Sequence, residues 1–554
     1  MNENNNGEVM QTSQVQENLN IECDDQIYKD CAQCTIDVNG ESGSALNKPR
    51  IVICDVKGNM YLDQHVEEGL WALCAWNYPP KIFSKGGSLV TIEKDQEFGH
   101  KIDTVQKPYL KYLLSQTAEW VAEEESKNGI KYVSRYPNDA IVAAILEANR
   151  DWMGIPELKG LTGTPIPRED GTINLHGYDE KTRYYFTPGL EVPDLPLHPT
   201  QEDAVKAAQY LYEELFQDFP LKDDASGANM MAALITPVLR PLYDDITPLF
   251  VITKPEPGEG AGLLADVVSL ISTGMIAPTQ DANCFVKDNT ETRKNLTSLL
   301  RAGSIITVLD NLDQNSTFDS PVMAMFLTAK RYQDRLLGHS ITLNLTNNVC
   351  LFLTGRNVKI GGDIPRRTVL IEMESLGTEL LHNPDKRNFK HPDLVKWIEE
   401  NRTDLVVAIF TMIRAWAIAG KPAKVPIIGR FEKWCLTIGG ILEYAGINGF
   451  LGNQEIIWDE MDSERDEWHD FAQLLYFIKK SEHLSAKELL ALIRGANNGL
   501  RDVLPVKMEE SLKKGAQSLG KSLMSNRNVA LGGFVIKTAK NAHTNTSEYW
   551  IDLE

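Results

Sequence analysis

The stretch beginning at Leu249 constrains the fold most. Leu249-Phe-Val-Ile-Thr253 is a short apolar and β-branched run, too short for a buried helix, so it reads as a strand covered on both faces. It leads into Lys254-Pro-Glu-Pro-Gly258-Glu-Gly260-Ala261-Gly262, a turn rich in Gly and Pro, and then into an apolar helix over 263–271. Further strand patterns fall at 305–309, 341–345, 349–354 and 368–373, with helical patterns between them. This alternation across 229–375 predicts an α/β sheet covered by helices.

A glycine turn between a strand and a helix N-terminus is where a phosphate group is held, by backbone N–H groups and the helix dipole. Pro257, Gly258, Gly260, Ala261, Gly262 and Leu263 are the candidate contacts. The chemistry ordinarily adds a Lys for the β- and γ-phosphates and a Ser or Thr for Mg²⁺. Ala261 and Gly262 stand at those two positions, and Pro255 stands where the pattern has its first glycine. By itself the loop is a failed match.

Other strand ends support it. Ile305-Ile-Thr-Val-Leu309 ends in Asp310-Asn311, the form of a Walker B strand whose Asp serves Mg²⁺. Val349-Cys-Leu-Phe-Leu-Thr354-Gly-Arg-Asn357 ends in a polar cluster, where Asn357 is placed to orient an attacking water. Arg366 and Arg367 precede the next strand, and an arginine there can act across a subunit boundary.

The 554 residues carry 56 Lys and Arg against 77 Asp and Glu, a net charge of −21. That length implies several domains, and the acidity excludes a generally basic, nucleic-acid-coating surface while leaving local basic patches open. No apolar run is long enough for a transmembrane helix, and the polar start MNENNNGEVMQ has no signal-peptide core, so the expected location is the cytoplasm. Residues 1–48 hold nine acids against Lys29 and Lys48 and few aromatics, the composition of a disordered tail. Cys31 and Cys34, with Cys23 upstream, have metal-like spacing but lack a second pair, so no zinc is expected.

Residues 487–540 reverse the overall charge, with ten basic residues against four acids, a net of +6. A capping box at Ser485–Glu488 opens one helix, a second basic helix is expected over 511–524, and strands follow around 534–537 and 549–553. Helix, turn, basic helix and β-hairpin together describe a winged helix. Lys513, Lys514, Lys521 and Arg527 are its candidate DNA contacts.

Taken in order, these motifs resemble the AAA+ helicase-like proteins of phages and integrated mobile elements, related to superfamily 3 helicases and often described as primase/helicase C-terminal regions. The resemblance runs over roughly 75–554. It is carried by Gly177-Tyr-Asp, the loop from Pro257 to Asp266, Glu291-Thr-Arg-Lys-Asn-Leu-Thr297, and Val308-Leu-Asp-Asn311. Asp334-Arg335-Leu-Leu-Gly338, Thr354-Gly-Arg-Asn357, Asp363-Ile-Pro-Arg-Arg367 and Phe389-Lys-His-Pro-Asp393 complete it.

The resemblance implies an AAA+ type P-loop ATPase core with ATP and Mg²⁺ as cofactors. It also implies a homo-oligomeric ring, DNA as partner together with replication proteins, and no membrane. Asp310 would hold Mg²⁺ beside Asn311, Asn357 would sense the γ-phosphate, and Arg367 or Arg335 would act across subunits. The expected layout is a disordered acidic tail (1–48), an N-terminal accessory module (49–153), a β-rich connector (154–199), the ATPase-like core (200–376), a helical segment (377–455) and a winged helix (456–554). The missing Lys leaves two accounts open: Lys254 or Lys294 substitutes, or hydrolysis is lost and the chain is a DNA-binding ring scaffold. A transcription regulator built on the winged helix would leave most of the chain unused.

Overall fold

The computed structural model describes residues 48–554 except 96–98, 149–151, 153, 168–172, 175–176, 188, 191–194, 244, 314–315, 336–341, 376–387, 496–498, 542–544 and 554. The acidic tail with Cys23, Cys31 and Cys34, and the Leu336-Leu337-Gly338 portion of one motif, lie outside the described residues.

The first module comprises β1 (Arg50–Cys54), α1 (Leu62–Trp76), β2 (Ile82–Lys85), β3 (Ser88–Asp95), β4 (Gly99–Thr104), α2 (Lys107–Thr117), β5 (Glu119–Ser126), β6 (Gly129–Ser134) and α3 (Asp139–Glu147). Its sheets run β1-β5-β6 and β2-β3-β4, and Leu73, Leu110, Leu114, Trp120, Ile141 and Ile145 form its core. Helical spacing predicts one helix over 104–126, but the helix ends at Thr117 and Glu119–Ser126 is a strand. The cause lies downstream: Asn128-Gly129, with Gly129 at φ 111, turns a hairpin that pairs β5 with β6. The apolar pattern predicts a second helix over 138–152, but the helix stops at Glu147, and the Trp152 indole donates to the Ile145 carbonyl at 2.7 Å.

Short strands follow: β7 (Gly160–Thr162), β8 (Ile166–Pro167), β9 (Ile173–Asn174), β10 (Gly177–Asp179) and β11 (Tyr184–Phe186). Thr200 and Asp203 form a reciprocal capping box that opens α4 (Gln201–Leu215), and α5 (Asp224–Leu239) comes next.

The core contains β12 (Leu249–Lys254), α6 (Ala261–Thr273), β13 (Thr279–Asp281), α7 (Asn289–Ala302), β14 (Ile306–Asp310), β15 (Thr317–Phe318), α8 (Pro321–Thr328), β16 (Arg331–Arg335), β17 (Thr342–Thr346), β18 (Cys350–Arg356), β19 (Lys359–Ile360) and β20 (Thr368–Glu372). Five of these strands form a parallel sheet in the order β13-β14-β18-β12-β20. The two-residue period of a strand sorts its side chains into two cores. Phe250, Ile252, Val308, Phe352 and Ile371 pack toward α5 and α6. Leu249, Val251, Leu309, Leu353 and Leu370 pack on the opposite face with side chains of α7 and α8. Each such buried Leu or Phe contributes about 1.5–3 kcal/mol by leaving water.

The edge strand β20 is closed along its length by side chains and at its end by the backbone of Pro220–Lys222, where Leu221 bridges Met373. The Leu370 carbonyl accepts from Asn229 at 2.8 Å and from Asn453 at 3.2 Å, and the Thr368 carbonyl accepts from Gln454 at 3.2 Å. The Glu372 N–H donates to the Ser226 hydroxyl at 3.1 Å.

Beyond the sheet, α9 (Leu394–Ile418) packs against α4 and α6, and α10 (Gln454–Lys479) leads to the last region. That region has β21 (Leu484–Ser485), α11 (Ala486–Arg494), α12 (Val506–Lys514), α13 (Ala516–Ser525), β22 (Ala530–Leu531), β23 (Phe534–Lys540) and β24 (Ser547–Leu553). Its antiparallel sheet runs β21-β24-β23-β22, and Phe471, Leu489, Leu519, Ile536 and Ile551 form a separate core. The single basic helix expected over 511–524 is in fact two. Gly515, at φ 98, ends α12 and starts α13 in a conformation that a continuing helix cannot hold. Among the described residues no helix is long and apolar enough to cross a membrane.

Candidate functional site

Parallel strands present their carboxyl ends, and the loops that follow them, at one edge of the sheet, the usual place for a ligand. The glycine loop follows β12 there. Gly258 and Gly260 lie at φ 87 and 96, and Gly260 is the N-cap of α6. A Cβ on Gly260 would meet the Phe219 ring at 3.0 Å, whereas one on Gly258 or Gly262 would meet nothing within 4 Å. Ala261 is fully buried within the main apolar cluster, and Leu263 lines the neighbouring cavity. Pro257 is at the exposed crest of the turn.

Asp310 ends β14, and Thr354 of the adjacent β18 donates its hydroxyl to the Asp310 carboxylate. One and three residues beyond Asp310, the chain is pinned by Asn283, whose side chain donates to the Asn311 carbonyl at 2.9 Å and accepts from the Asp313 N–H at 3.1 Å. Asn311 itself is exposed, with φ 60. Asn357 follows β18, also at positive φ, and its N–H donates to the Lys254 carbonyl at 2.9 Å. The Val358 N–H donates to the Thr253 hydroxyl at 3.0 Å. The loop, Asp310, Thr354 and Asn357 therefore share the carboxyl edge of three neighbouring strands. Asp266 on α6 lies close enough to feel Asp310: burial first, and then the Asp310 charge, hold its carboxyl above the usual range, against a hydrogen bond from the Ala277 backbone.

Two hollows flank the loop. One, of about 470 Å³, is lined by Phe219, Gly258, Gly260, Leu263 and His391. The other, of about 640 Å³, is lined by Thr253, Lys254, Asn357, Lys222 and Glu372.

Of the remaining sequence candidates, only Lys254 lies beside the loop. Arg367 immediately precedes β20 and so sits at the amino edge of the sheet, about 15 Å of strand from the loop side. Its guanidinium donates to the Asp363 carbonyl of its own turn. Arg335 ends the first strand of the β16–β17 hairpin, which is not part of the five-stranded sheet. Lys294 pairs with Glu291 on its own helix, and Lys254 lines the second hollow.

In the last region, Lys513, Lys514, Lys521 and Arg527 are all exposed. Lys513 and Lys514 close α12, where a helix C-terminus favours cations. Lys521 is on the outer face of α13, opposite buried Leu519 and Leu523, and Arg527 follows that helix.

Thr354 and Arg356 belong to the Thr354–Asn357 cluster, but the sequence alone gives neither a role. Arg356 donates through Nε to the Pro255 carbonyl at 2.6 Å and pairs with Glu256 at 3.1 Å. The signal that would have found it is the parallel register of Lys254 with Arg356, which pairing alone reveals.

No protein-family model matches the chain, and no curated protein matches it. Among solved structures, similar ones are the apo A form of the NrS-1 C-terminal region, at 11% identity and TM-score 0.32, covering 88% of this chain and 100% of that one. The 305–718 form of that region matches at 12% identity and TM-score 0.34, covering 87% and 99%. The SCCmec type IV active helicase Cch matches at 13% identity and TM-score 0.30, covering 82% and 83%. All three likenesses are faint.

Proposed function

We propose that the chain is a DNA-acting, AAA+ helicase-like ATPase serving replication of a mobile element or virus-like genome. One observation carries the reading: the glycine loop, the Asp310–Thr354 pair and Asn357 meet at one edge of a parallel sheet. The residues present suit the ligands. Mg²⁺ binds through one or two carboxylates, waters and the nucleotide's own phosphates, and Asp310 is such a carboxylate. Open space over Gly258 and Gly262 and the N-terminus of α6 suit a phosphate chain. Bound Mg²⁺ would offset negative charge on the transferred phosphoryl group. Thr354 would orient the Asp310 carboxylate, and Asn357 would hold a water or the terminal phosphate. Arg367, at the far edge of its own sheet, or Arg335 would serve a neighbouring copy in a ring.

The test is ATP hydrolysis by the purified protein with and without DNA, which is expected to rise when DNA is added. Hydrolysis that is absent under both conditions sinks the enzyme reading. A second reading, a DNA-binding ring scaffold without hydrolysis, is favoured by Ala261: the place of the usual Lys is sealed in apolar packing.

Both readings place DNA on the C-terminal region, arranged as a winged helix. For the 554-residue chain, duplex affinity is expected to fall steeply with salt. Lys514→Glu with Lys521→Glu should weaken binding to all sequences and reduce the slope of log K against log salt by about 2. An unchanged slope would remove these lysines from the interface.

A further inference from the structure

We infer that Arg356 is the phosphate-binding cation of this site, in place of the lysine that the loop lacks; this rests on the nucleotide reading above. The loop cannot supply a charge from its own helix start, because Ala261 is buried in the core and Gly262 has no side chain. Of the other cations, Arg367 lies at the opposite edge of the sheet, Lys294 is on α7 and Lys222 precedes α5, and Lys254, at the end of β12, is the one rival beside the loop.

Arg356 is brought to the loop by sheet register. It stands opposite Lys254 at the carboxyl ends of β18 and β12. Its Nε–H is anchored on the Pro255 carbonyl, which fixes the plane of the guanidinium beside the loop. A guanidinium presents further N–H donors in a fork that matches two phosphate oxygens.

The carboxylate that Arg356 now meets is Glu256, a loop residue. The two side chains are 37% and 41% exposed, so the pair is screened by water and readily exchanged. A phosphate chain carrying two or more negative charges would displace Glu256 from the guanidinium while the Nε anchor stays. Glu256 thus acts as an internal competitor for the cation.

The experiment compares the 554-residue chain with its Arg356→Ala, Arg356→Lys and Glu256→Gln variants, measuring the affinity of adenosine, ADP and ATP in the presence of Mg²⁺. Arg356→Ala is expected to weaken ADP and ATP about tenfold or more while leaving adenosine within about twofold, and Arg356→Lys to recover part of the loss. Glu256→Gln is expected to tighten ATP by several-fold. Equal weakening of adenosine and ATP would show that Arg356 only shapes the loop, and unchanged ATP affinity would remove it from the site; either result overturns the assignment while the nucleotide reading stands. Should Arg356→Ala fail to fold, the decision falls to Glu256→Gln, and unchanged or weaker ATP binding there overturns it. If the parent protein binds none of the three ligands, the nucleotide reading falls and this assignment falls with it.

Discussion

Replacing Asp310 by Asn is expected to abolish Mg²⁺-dependent ATP turnover, by on the order of a hundredfold or more, while the protein melts within about 2 °C of the parent. The loss follows because the carboxylate is the metal-side charge of the site, and metal stabilisation of a phosphoryl transition state is worth several kcal/mol. The fold should persist because Asn keeps an oxygen for the Thr354 hydroxyl and the same shape at the end of β14. Steady-state hydrolysis across a Mg²⁺ titration, beside a thermal melt, reads both halves. Turnover equal to the parent's would refute the Mg²⁺ role of Asp310.

A second large effect is expected far from any chemistry. Asn229 is fully buried; it donates to the Leu370 carbonyl and to Asn453 at 3.0 Å, and it accepts from the Leu451 N–H at 2.9 Å. Asn229→Leu preserves volume but strands the Leu451 N–H and the Asn453 oxygen, while Leu370 keeps its bond from Asn453. Each orphaned buried group costs about 1–3 kcal/mol, so the change should destabilise by roughly 2–6 kcal/mol. Thermal or urea unfolding measures it directly. A midpoint indistinguishable from the parent's would mean that the network is dispensable.

Short-range signals carried much of this architecture. The apolar run at Leu249, the turn at Gly258–Gly260 and the strand ending in Asp310 were legible because strand burial, positive φ and strand-end acids leave marks within a few residues. The helix–strand confusion at 104–126 arose because Ala118 and Val121 fit a helical stripe, while the Asn128-Gly129 turn that decides the matter lies outside that window. The break at Gly515 was missed for a similar reason: lysines on both sides fit one helical face, and one glycine separates two helices. In the site, Thr354 and Arg356 stayed without roles because their meaning comes from neighbouring strands. Asp310 is 44 positions before Thr354, and Pro255 is 101 positions before Arg356, so only sheet pairing joins them.

The amide-lined flank of β20 has a consequence for how copies of this chain can meet. A bare outer strand is a template for strand addition from another molecule, a common route to aggregates and swapped dimers. Here the outward carbonyls of Thr368 and Leu370 and the N–H of Glu372 already have partners within the same chain. The opposite margin, β13, is only three residues long, Thr279–Asp281, too short to seed a partner strand. The central sheet is thus closed to lateral growth at both margins, and copies that meet beside it meet through side-chain surfaces rather than a backbone ladder running from one molecule into the next.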